Sequence, residues 1–517
     1  MTGNGPSASI VRGKHVITRA LDRHRWEQID DGAVLQQGGI IAAVGAFADI
    51  RAANPGTPIV GDGEQALLPG FVNAHHHVGL SPLQLGVADE TLEKWFATGI
   101  ALRDHIPYYD TLYAAFEMLA SGTTTAQHLH GWLPGGPREI EKEAEAIIRA
   151  YEDIGMRVSY CYALREQNHL VYEANEQFVE RVPADLRPML AQYFAGFRMP
   201  ASETVALFEH LYAKHQGKER VKIQIAPSNL QWCTDEGLTM LADSAQKHGV
   251  PIHMHLVETP YQKEYARRRG GGTSVDYIER FGLLGPHMTL GHAVWLSESD
   301  LDKVASTGTS VCHNCSSNLR LRSGVLPLNR IEARGINTAI GTDDMGINED
   351  QDMLQEMRMV LCAHREPGMD DSVPTMAQVF RMATSGGAKT TPYGETIGSL
   401  EVGKAADMVL IDWKQISEPY LDPETPTLAA IIHRAKTRGV RTVIVGGEIV
   451  YQDGKFTRVD RDNALREFSE ALKRPLTDDE RNRKRLSKAV LPHVTSFYDG
   501  YLDSGAHEPY YRQNSRT

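Results

Sequence analysis

The middle of the chain, residues 66–390, alternates short apolar runs with longer amphipathic stretches, and this alternation restricts the possible folds most. The short runs predict strands, and stretches such as 299–306 and 352–364 predict helices. Strand–helix–strand units give parallel strands with right-handed crossovers, and eight such units close into a (β/α)8 TIM barrel. The candidate strands are Ala66–Val72, Thr123–His128, Arg157–Ala163, Lys222–Ala226, Pro251–Leu256, Met288–His292, Ser310–His313 and Asn337–Gly341.

The two ends of the chain have a different sequence pattern, in which runs of β-branched residues are separated by glycines, as in hairpins. They predict a small β-sandwich domain built from both termini, residues 1–65 with 392–460, beside a barrel of residues 66–391. Residues 461–517 are charged and predict a helical or irregular C-terminal extension. An open, doubly wound α/β sheet is the alternative fold, but no glycine-rich phosphate turn follows the first strand.

The amino-acid composition limits the kinds of partner that we expect for this protein. The chain has 54 Lys and Arg against 66 Asp and Glu, a net charge of −12, and neutralising phosphates needs a basic face, so a nucleic-acid partner is not expected. No run approaches the ~20 uncharged apolar residues of a membrane span, and residues 1–9 lack an apolar signal-peptide core. Five irregularly spaced cysteines fit a reduced protein. We therefore expect a cytoplasmic protein of enzyme size with no membrane partner. We also expect a small-molecule substrate and a homodimeric or homotetrameric assembly.

Histidines and acidic residues gather where the predicted strands end, which is the catalytic end of such a barrel. The first strand runs into His75 and His77, whose side chains share a face while His76 points away. Further strand-end residues are His253, His255, Glu258, His292 and Asp343. A lone histidine is usually a core residue and a lone aspartate a helix cap. Such residues at the same end of four strands predict a metal site instead.

Several segments between residues 8 and 455 share the pattern of one known group of enzymes. They are 69–77 (PGFVNAHHH), 121–125 (SGTTT), 255–258 (HLVE), 291–292 (GH), 313–319 (HNCSSNL), 341–343 (GTD) with Asn348, and 397–407 (IGSLEVGKAAD). Together they resemble the amidohydrolase superfamily, in the branch that includes cytosine deaminase, the S-adenosylhomocysteine and methylthioadenosine deaminases, and the triazine hydrolases.

This resemblance implies a metal centre. It assigns His75, His77, His255 and Asp343 as ligands of one divalent ion, zinc foremost and iron second, because imidazoles with one carboxylate suit either metal. Some members hold two ions bridged by a carboxylated lysine at the end of the fourth strand. Here Lys222 lies at the start of that strand and no lysine lies at its end, which favours a mononuclear site.

The resemblance also implies the reaction. The ion lowers the pKa of bound water from ~16 toward neutrality, Asp343 accepts a hydrogen bond from that water, Glu258 shuttles the proton, and His292 polarises the substrate. The expected reaction is attack at an sp² carbon of an N-heterocycle with loss of ammonia, amine or halide. Hydrolysis of an acyclic or cyclic amide, urea or (thio)carbamate is the alternative. A non-catalytic assembly protein is disfavoured, because all four ligands are kept.

Polar residues and one indole in the loops after the first four strands are candidate substrate contacts. They are Gln84, His128, Arg165, Gln167, Gln231 and Trp232. Gln84 stands where many relatives have an arginine, and Asp344 has no assigned role. The C-x-x-C spacing of Cys312 and Cys315 has no second pair, so we do not expect a redox or zinc motif there.

Overall fold

The structure is a computed structural model that describes residues 8–131, 134–344 and 346–502. Its N-terminal part is mostly β-structure, in which β1 and β2 form a long antiparallel hairpin. The elements are β1 (Ala8–Ala20), β2 (Trp26–Gln37), β3 (Ile40–Ala46), α1 (Phe47–Ala53), β4 (Ile59–Val60) and β5 (Gln65–Pro69).

The middle of the chain is the predicted barrel. Its strands are β6 (Phe71–His76), β7 (Thr123–His130), β8 (Arg157–Leu164), β9 (Val221–Ile223), β10 (Ala226–Pro227), β11 (Ile252–Leu256), β12 (Met288–His292), β13 (Ser310–His313) and β14 (Thr338–Ile340). Strands β9 and β10 both pair with β8 and act as one interrupted strand. Parallel bridges join Ile225 to Ile252 and His76 to Asp343, so the two half-sheets close into a ring. The (β/α)8 prediction is therefore confirmed.

Helices follow the barrel strands. They are α2 (Leu92–Gly99), α3 (Pro107–Ala120), α4 (Pro137–Ile154), α5 (Asn175–Arg181), α6 (Arg187–Phe194), α7 (Ala201–His215), α8 (Asp235–His248), α9 (Pro260–Gly270), α10 (Ser274–Glu279), α11 (Glu298–Thr307), α12 (Cys315–Arg320), α13 (Leu328–Ala333), α14 (Met353–Ala363) and α15 (Met376–Arg381). The predicted helix at 299–306 begins at a capping box, in which Ser297 and Asp300 bond each other's backbone N–H groups.

The C-terminal strands join the N-terminal ones. After the barrel come β15 (Met408–Asp412), α16 (Trp413–Ser417), α17 (Thr427–Arg434), β16 (Val440–Val445), β17 (Glu448–Gln452) and β18 (Lys455–Phe456). Over the described residues the sheet order is β18-β17-β16-β15-β5-β1-β2-β3, with β4 beside β1. Ile40 of β3 also bridges to Ala405, so the sheet curls around a core that includes Val34, Leu67 and Met408.

The predicted first barrel strand, Ala66–Val72, is in fact two strands. Residues up to Pro69 pair with β15 in the terminal sheet, whereas Phe71 onward pairs with β7 in the barrel. The change occurs at Gly70, where a Cβ would lie 2.3 Å from the side chain of Thr124. Only glycine allows this close approach.

A buried ion pair fastens the barrel to the terminal sheet. Arg157 of β8 donates to both carboxylate oxygens of Asp407, at 2.7 and 3.1 Å, and Gly446 N donates to the same carboxylate at 2.7 Å. Both side chains are buried. This bidentate contact holds the base of the barrel against β15 and β16.

Replacing Asp407 with alanine should lower the free energy of unfolding by about 3–5 kcal/mol, because it leaves the Arg157 guanidinium buried without its carboxylate. Denaturant unfolding measures this change. Asp302→Ala is the control, since it breaks the more exposed Arg334–Asp302 pair (2.8 Å) and should cost no more than about 1 kcal/mol. Equal effects of the two substitutions would contradict the role given to Arg157–Asp407.

The C-terminal extension contributes helices α18 (Arg461–Leu472) and α19 (Asp478–Phe497). Helix α19 buries Leu486, Val490 and Val494, four residues apart on one face, in a cluster with residues of α2. The extension therefore lies over the carboxyl end of the barrel. Residues 503–517 of the predicted extension lie outside the described residues. In the described part of the chain, no helix is long and apolar enough to cross a membrane.

Candidate metal centre and active site

The four predicted metal ligands, His75, His77, His255 and Asp343, converge at the mouth of the barrel. His77 Nε2 lies 3.1 Å from both His75 Nε2 and His255 Nε2. Asp343 Oδ1 lies 3.1 Å from His77 Nε2 and 3.4 Å from His75 Nε2. Metal–nitrogen bonds of about 2.0–2.1 Å in tetrahedral geometry place neighbouring ligand atoms roughly 3.3 Å apart. These four separations therefore match those of side chains that share one ion.

The backbone sets the direction of the imidazoles. His77 Nδ1 donates to Leu129 O at 2.7 Å and His255 Nδ1 donates to Ser228 O at 2.8 Å, since a carbonyl can only accept. Each Nε2 then carries a lone pair toward the centre, as in histidines that bind metals. Two such nitrogens 3.1 Å apart have no proton to share while both rings are neutral. A positive charge between them, either a metal ion or a shared proton, accounts for their approach, so the residues fit the predicted metal.

The protonation states of the histidines also indicate that this cluster holds a positive charge. Burial lowers the pKa of His75 to about 3 and that of His255 well below its usual value, so both rings are neutral. Burial also lowers the pKa of His77, but the hydrogen bond to Asp343 more than offsets it and raises the pKa to about 9. Without a metal, a proton on His77 thus supplies the positive charge that the cluster needs.

Backbone strain concentrates beside these residues. Val257, His292 and Asp343 have φ angles of 44°, 65° and 58°, in the left-handed region. For a β-branched residue such as Val257 this is a genuine outlier, and it lies directly before Glu258. Strain of this kind persists where the surroundings over-determine the backbone, which is typical of active sites.

Glu258 and His292 lie at the same mouth. Glu258 Oε1 accepts a hydrogen bond from Ser323 Oγ at 3.2 Å and lies 3.7 Å from His292 Nδ1. His292 Nε2 lies 3.8 Å from Asp343 Oδ2. Burial, then the nearby Asp343 and Glu93, raise the pKa of Glu258 well above its usual value. A carboxyl whose pKa is raised in this way can take up and deliver a proton during a reaction.

Three further residues support this group, and the sequence did not assign them these roles. His253 Nε2 lies 2.8 Å from His75 Nδ1, Asn318 Oδ1 lies 2.8 Å from His292 Nδ1, and Ser317 Oγ donates to Asp343. The amide oxygen of Asn318 accepts a hydrogen bond from His292 Nδ1 and so orients this imidazole. Ser317 and Asn318 lie in the 313–319 segment, which was the one available signal.

His76 lies away from the cluster, as predicted. Its ring packs against that of His128 with centroids 5.2 Å apart. Lys222 also lies elsewhere, because its Nζ donates to Gln216 O at 3.3 Å. Among the described residues, no lysine contact with the four converging side chains is seen.

A cavity of about 80 Å³ adjoins the cluster. His77 and the half-buried Asp344 form its inner wall, and most of the lining is apolar, including Leu80, Trp95 and Leu102. Burial and the neighbouring Asp343 raise the pKa of Asp344 to about 7. The cavity therefore lies directly beside one of the four converging side chains.

The predicted substrate contacts divide into two groups. His128 lines this cavity, and the Arg165 guanidinium lies buried between the rings of Phe96 (4.4 Å) and Trp232 (4.7 Å). Gln231 is buried, and its side-chain amide has no hydrogen-bond partner among the described residues. The other two make contacts within the protein. The side chain of Gln167 donates to two backbone carbonyls, at 3.2 and 3.3 Å. The side chain of Gln84 is exposed and donates to the hydroxyl of Tyr113. The contact of each with substrate stays a prediction.

A roof cluster covers the barrel mouth. It joins Phe96 of α2, Trp232 and Leu321 of the strand-end loops, and Val490 and Tyr498 from the C-terminal extension. On its inner side Glu93 accepts hydrogen bonds from Tyr172 OH (3.1 Å) and from Thr259 Oγ1. Thr259 directly follows Glu258, so the roof is tied to the strand end that carries the proposed proton shuttle. No sequence signal indicated Glu93 or the roof.

Comparison with known proteins identifies the family. The amidohydrolase family matches residues 66–450, and a bacterial imidazolonepropionase-like composite domain matches residues 32–56. A 5-methylthioadenosine/S-adenosylhomocysteine deaminase from Syntrophobacter fumaroxidans is 30% identical over 462 residues, 88% of this chain and 95% of the relative. The chain therefore belongs to the amidohydrolase family, which confirms the predicted resemblance. It is a metal-binding hydrolytic enzyme that acts on C–N bonds of small molecules.

Two solved structures show the same fold. An adenosine deaminase from Xanthomonas campestris with bound zinc has a TM-score of 0.74 at 23% identity and covers 90% of this chain and 98% of its own. Atrazine chlorohydrolase from Arthrobacter aurescens TC1, complexed with zinc, has a TM-score of 0.75 at 21% identity and covers 90% and 100%. Helix α19 lies beyond the residues that the family model matches.

Proposed function

We propose that this enzyme removes an amino group from an N-heterocycle by hydrolysis, with His75, His77, His255 and Asp343 holding one zinc ion. The convergence of the three imidazoles and the carboxylate at 3.1–3.4 Å beside Glu258 carries this proposal. The relative named as a 5-methylthioadenosine/S-adenosylhomocysteine deaminase, and the neighbours named as an adenosine deaminase and an atrazine chlorohydrolase, support a heterocycle as substrate.

The chain's own residues supply the proton transfers. A zinc ion bound there would supply the Lewis acidity that lowers the pKa of water. Water adds to the ring carbon, and Glu258 carries one of its protons to the ring nitrogen. The second proton passes through Asp343 to the amino group, and the C–N bond then breaks, which releases ammonia and leaves a carbonyl. Asp343 accepts the hydrogen bond of the attacking water. His292, whose Nδ1 donates to Asn318, turns Nε2 toward the same point, and its protonated form would stabilise negative charge that develops on the substrate.

The surroundings of the metal residues support a single ion and a flat substrate. Lys222 lies at the far end of its strand, so a bridging lysine carboxylate has no source there. Zinc is proposed ahead of iron because the ligand set suits both and the solved neighbours contain zinc. The apolar cavity beside His77 and Asp344 would take the ring. We further propose a cytoplasmic homodimer or homotetramer that binds neither nucleic acid nor membrane.

The proposal is tested by ammonia release. Zinc-loaded enzyme is incubated with a panel of aminopurines, their nucleosides, aminopyrimidines, pterins and aminotriazines, and with ureas, amides and (thio)carbamates. Ammonia from at least one heterocycle, absent with the Glu258→Gln variant, is the expected result. Amine release from the ureas or carbamates alone would replace the proposal with hydrolysis of acyclic C–N bonds at the same site.

A further inference from the structure

A second group of metal-binding side chains lies outside the candidate active site. It consists of His313 at the end of β13, Cys315 at the start of α12 and His364 at the end of α14. His313 Nε2 lies 2.8 Å from His364 Nε2, and one ligand atom from each residue lies within 4.8 Å of the others. The three residues are 1%, 2% and 5% exposed. We propose that they form a second metal site, which takes a thiophilic divalent cation such as zinc.

This site is distinct from the C-x-x-C spacing in the sequence. Cys312 packs with Ala74 and Ala339, on the opposite side of β13 from His313. Cys315 lies beyond the strand end and approaches His364, which is contributed by a helix 49 residues further along the chain. The site therefore joins β13, α12 and α14, and its third ligand is recognisable only in the folded protein.

The ligand set favours a soft cation. One thiolate and two imidazoles suit zinc, whose bonds are about 2.3 Å to sulfur and about 2.0–2.1 Å to nitrogen. Those lengths place ligand atoms roughly 3.3–3.6 Å apart, so closing the group around an ion needs side-chain shifts of about 1 Å. Both rings stay neutral, because burial lowers the pKa of His364 to about 4 and that of His313 well below its usual value.

Binding would release one proton. Burial raises the pKa of the Cys315 thiol well above its usual value, so the metal-free site holds a thiol and a hydrogen bond between two neutral imidazoles. As a metal–sulfur bond forms, the S–H proton leaves to solvent, and one imidazole changes tautomer to present both Nε2 lone pairs. The occupied site then contains one thiolate, whose negative charge partly balances the charge of the ion.

Solvent reaches this region at the end of α14. Cys362 is exposed and the segment 365–372 that follows His364 is exposed throughout. Asn329 Nδ2 donates to His364 O at 3.0 Å and fixes the chain at this point. The exposed segment gives an access route for the ion and a side from which water can fill its fourth position.

Cobalt(II) tests the proposal without any substrate, because the candidate active site has no cysteine ligand. Metal-free full-length protein is titrated with Co²⁺, and bound metal and near-ultraviolet absorption are measured. We expect a second equivalent of cobalt together with a thiolate-to-cobalt charge-transfer band. Cys315→Ala should remove the band and one equivalent. The matched control Cys362→Ala, at an exposed position near the end of α14, should keep both.

His364→Asn provides a second variant, whose fold is checked by circular dichroism and thermal melting. It should weaken the charge-transfer band while the d–d absorption of the first equivalent stays. A single equivalent without a thiolate band in the wild-type protein would overturn the proposal. So would a band that survives Cys315→Ala or disappears with Cys362→Ala.

Discussion

Glu258→Gln should lower turnover by a factor of about 10²–10⁴ on whichever heterocycle releases ammonia, while bound metal stays unchanged. The range is that of a lost general acid–base group. Glutamine keeps the shape of the side chain and its hydrogen bond to Ser323, but it cannot carry a proton from water to the ring. Steady-state ammonia release measures turnover, and metal analysis of the same samples measures the bound metal.

Although Glu258→Gln should lower turnover, it should make the metal-free protein more stable. A carboxyl whose pKa rises on folding destabilises the folded state increasingly as pH climbs above its unfolded pKa, about 4.3 for Glu. Burial raises the pKa of Glu258 well above that. Metal-free Glu258→Gln should therefore melt at a higher temperature than the wild type at pH 8, and the gain should vanish as the pH falls toward 4.

The control for both measurements is Glu236→Gln, which changes an exposed carboxylate of α8. It should leave turnover and the pH dependence of melting as they are. Retained activity in Glu258→Gln would remove Glu258 from the mechanism. Lost activity with lost metal would instead show that the residue supports the metal centre.

Much of the fold could be predicted because the information is local. Alternating periodicity located the barrel strands, and the strand ends then placed His75, His77, His255, Glu258, His292 and Asp343 near one another. The division of the first predicted strand at Gly70 was missed, because periodicity does not reveal that one apolar run pairs with two different sheets.

The parts that could not be predicted depend on distant contacts or on strain. The roof joins α19 to α2 across almost 400 residues of sequence, and amphipathic periodicity in α19 shows that a face is buried but not against what. The contact of His313 with His364 is of the same kind. The positive φ of Val257 has no sequence signal, since valine rarely adopts it.

The metal centre gives the second large effect: Asp343→Asn should abolish stoichiometric zinc binding and reduce turnover by more than about 100-fold. Removing an outer-shell partner of a metal ligand already costs about 10–100-fold, and the Asp343 carboxylate lies within 3.4 Å of both His75 and His77. Its charge is also what raises the pKa of His77 to about 9. The metal-free variant should therefore lose the titration of His77 at that pH, which NMR of the imidazole signals can follow.

Chelation of the wild-type enzyme should give the same loss of turnover, and added zinc should restore the wild type but not Asp343→Asn. At neutral pH, water with a pKa of ~16 supplies almost no hydroxide unless a Lewis acid lowers that value toward 7. Asp243→Asn, an exposed change on α8, is the control and should bind zinc and turn over normally. If Asp343→Asn kept one zinc per subunit and wild-type turnover, Asp343 would be neither a ligand nor the acceptor for the attacking water. The cluster of His75, His77 and His255 would then need a different anionic partner, and Asp344 is the carboxylate nearest in sequence to take that place.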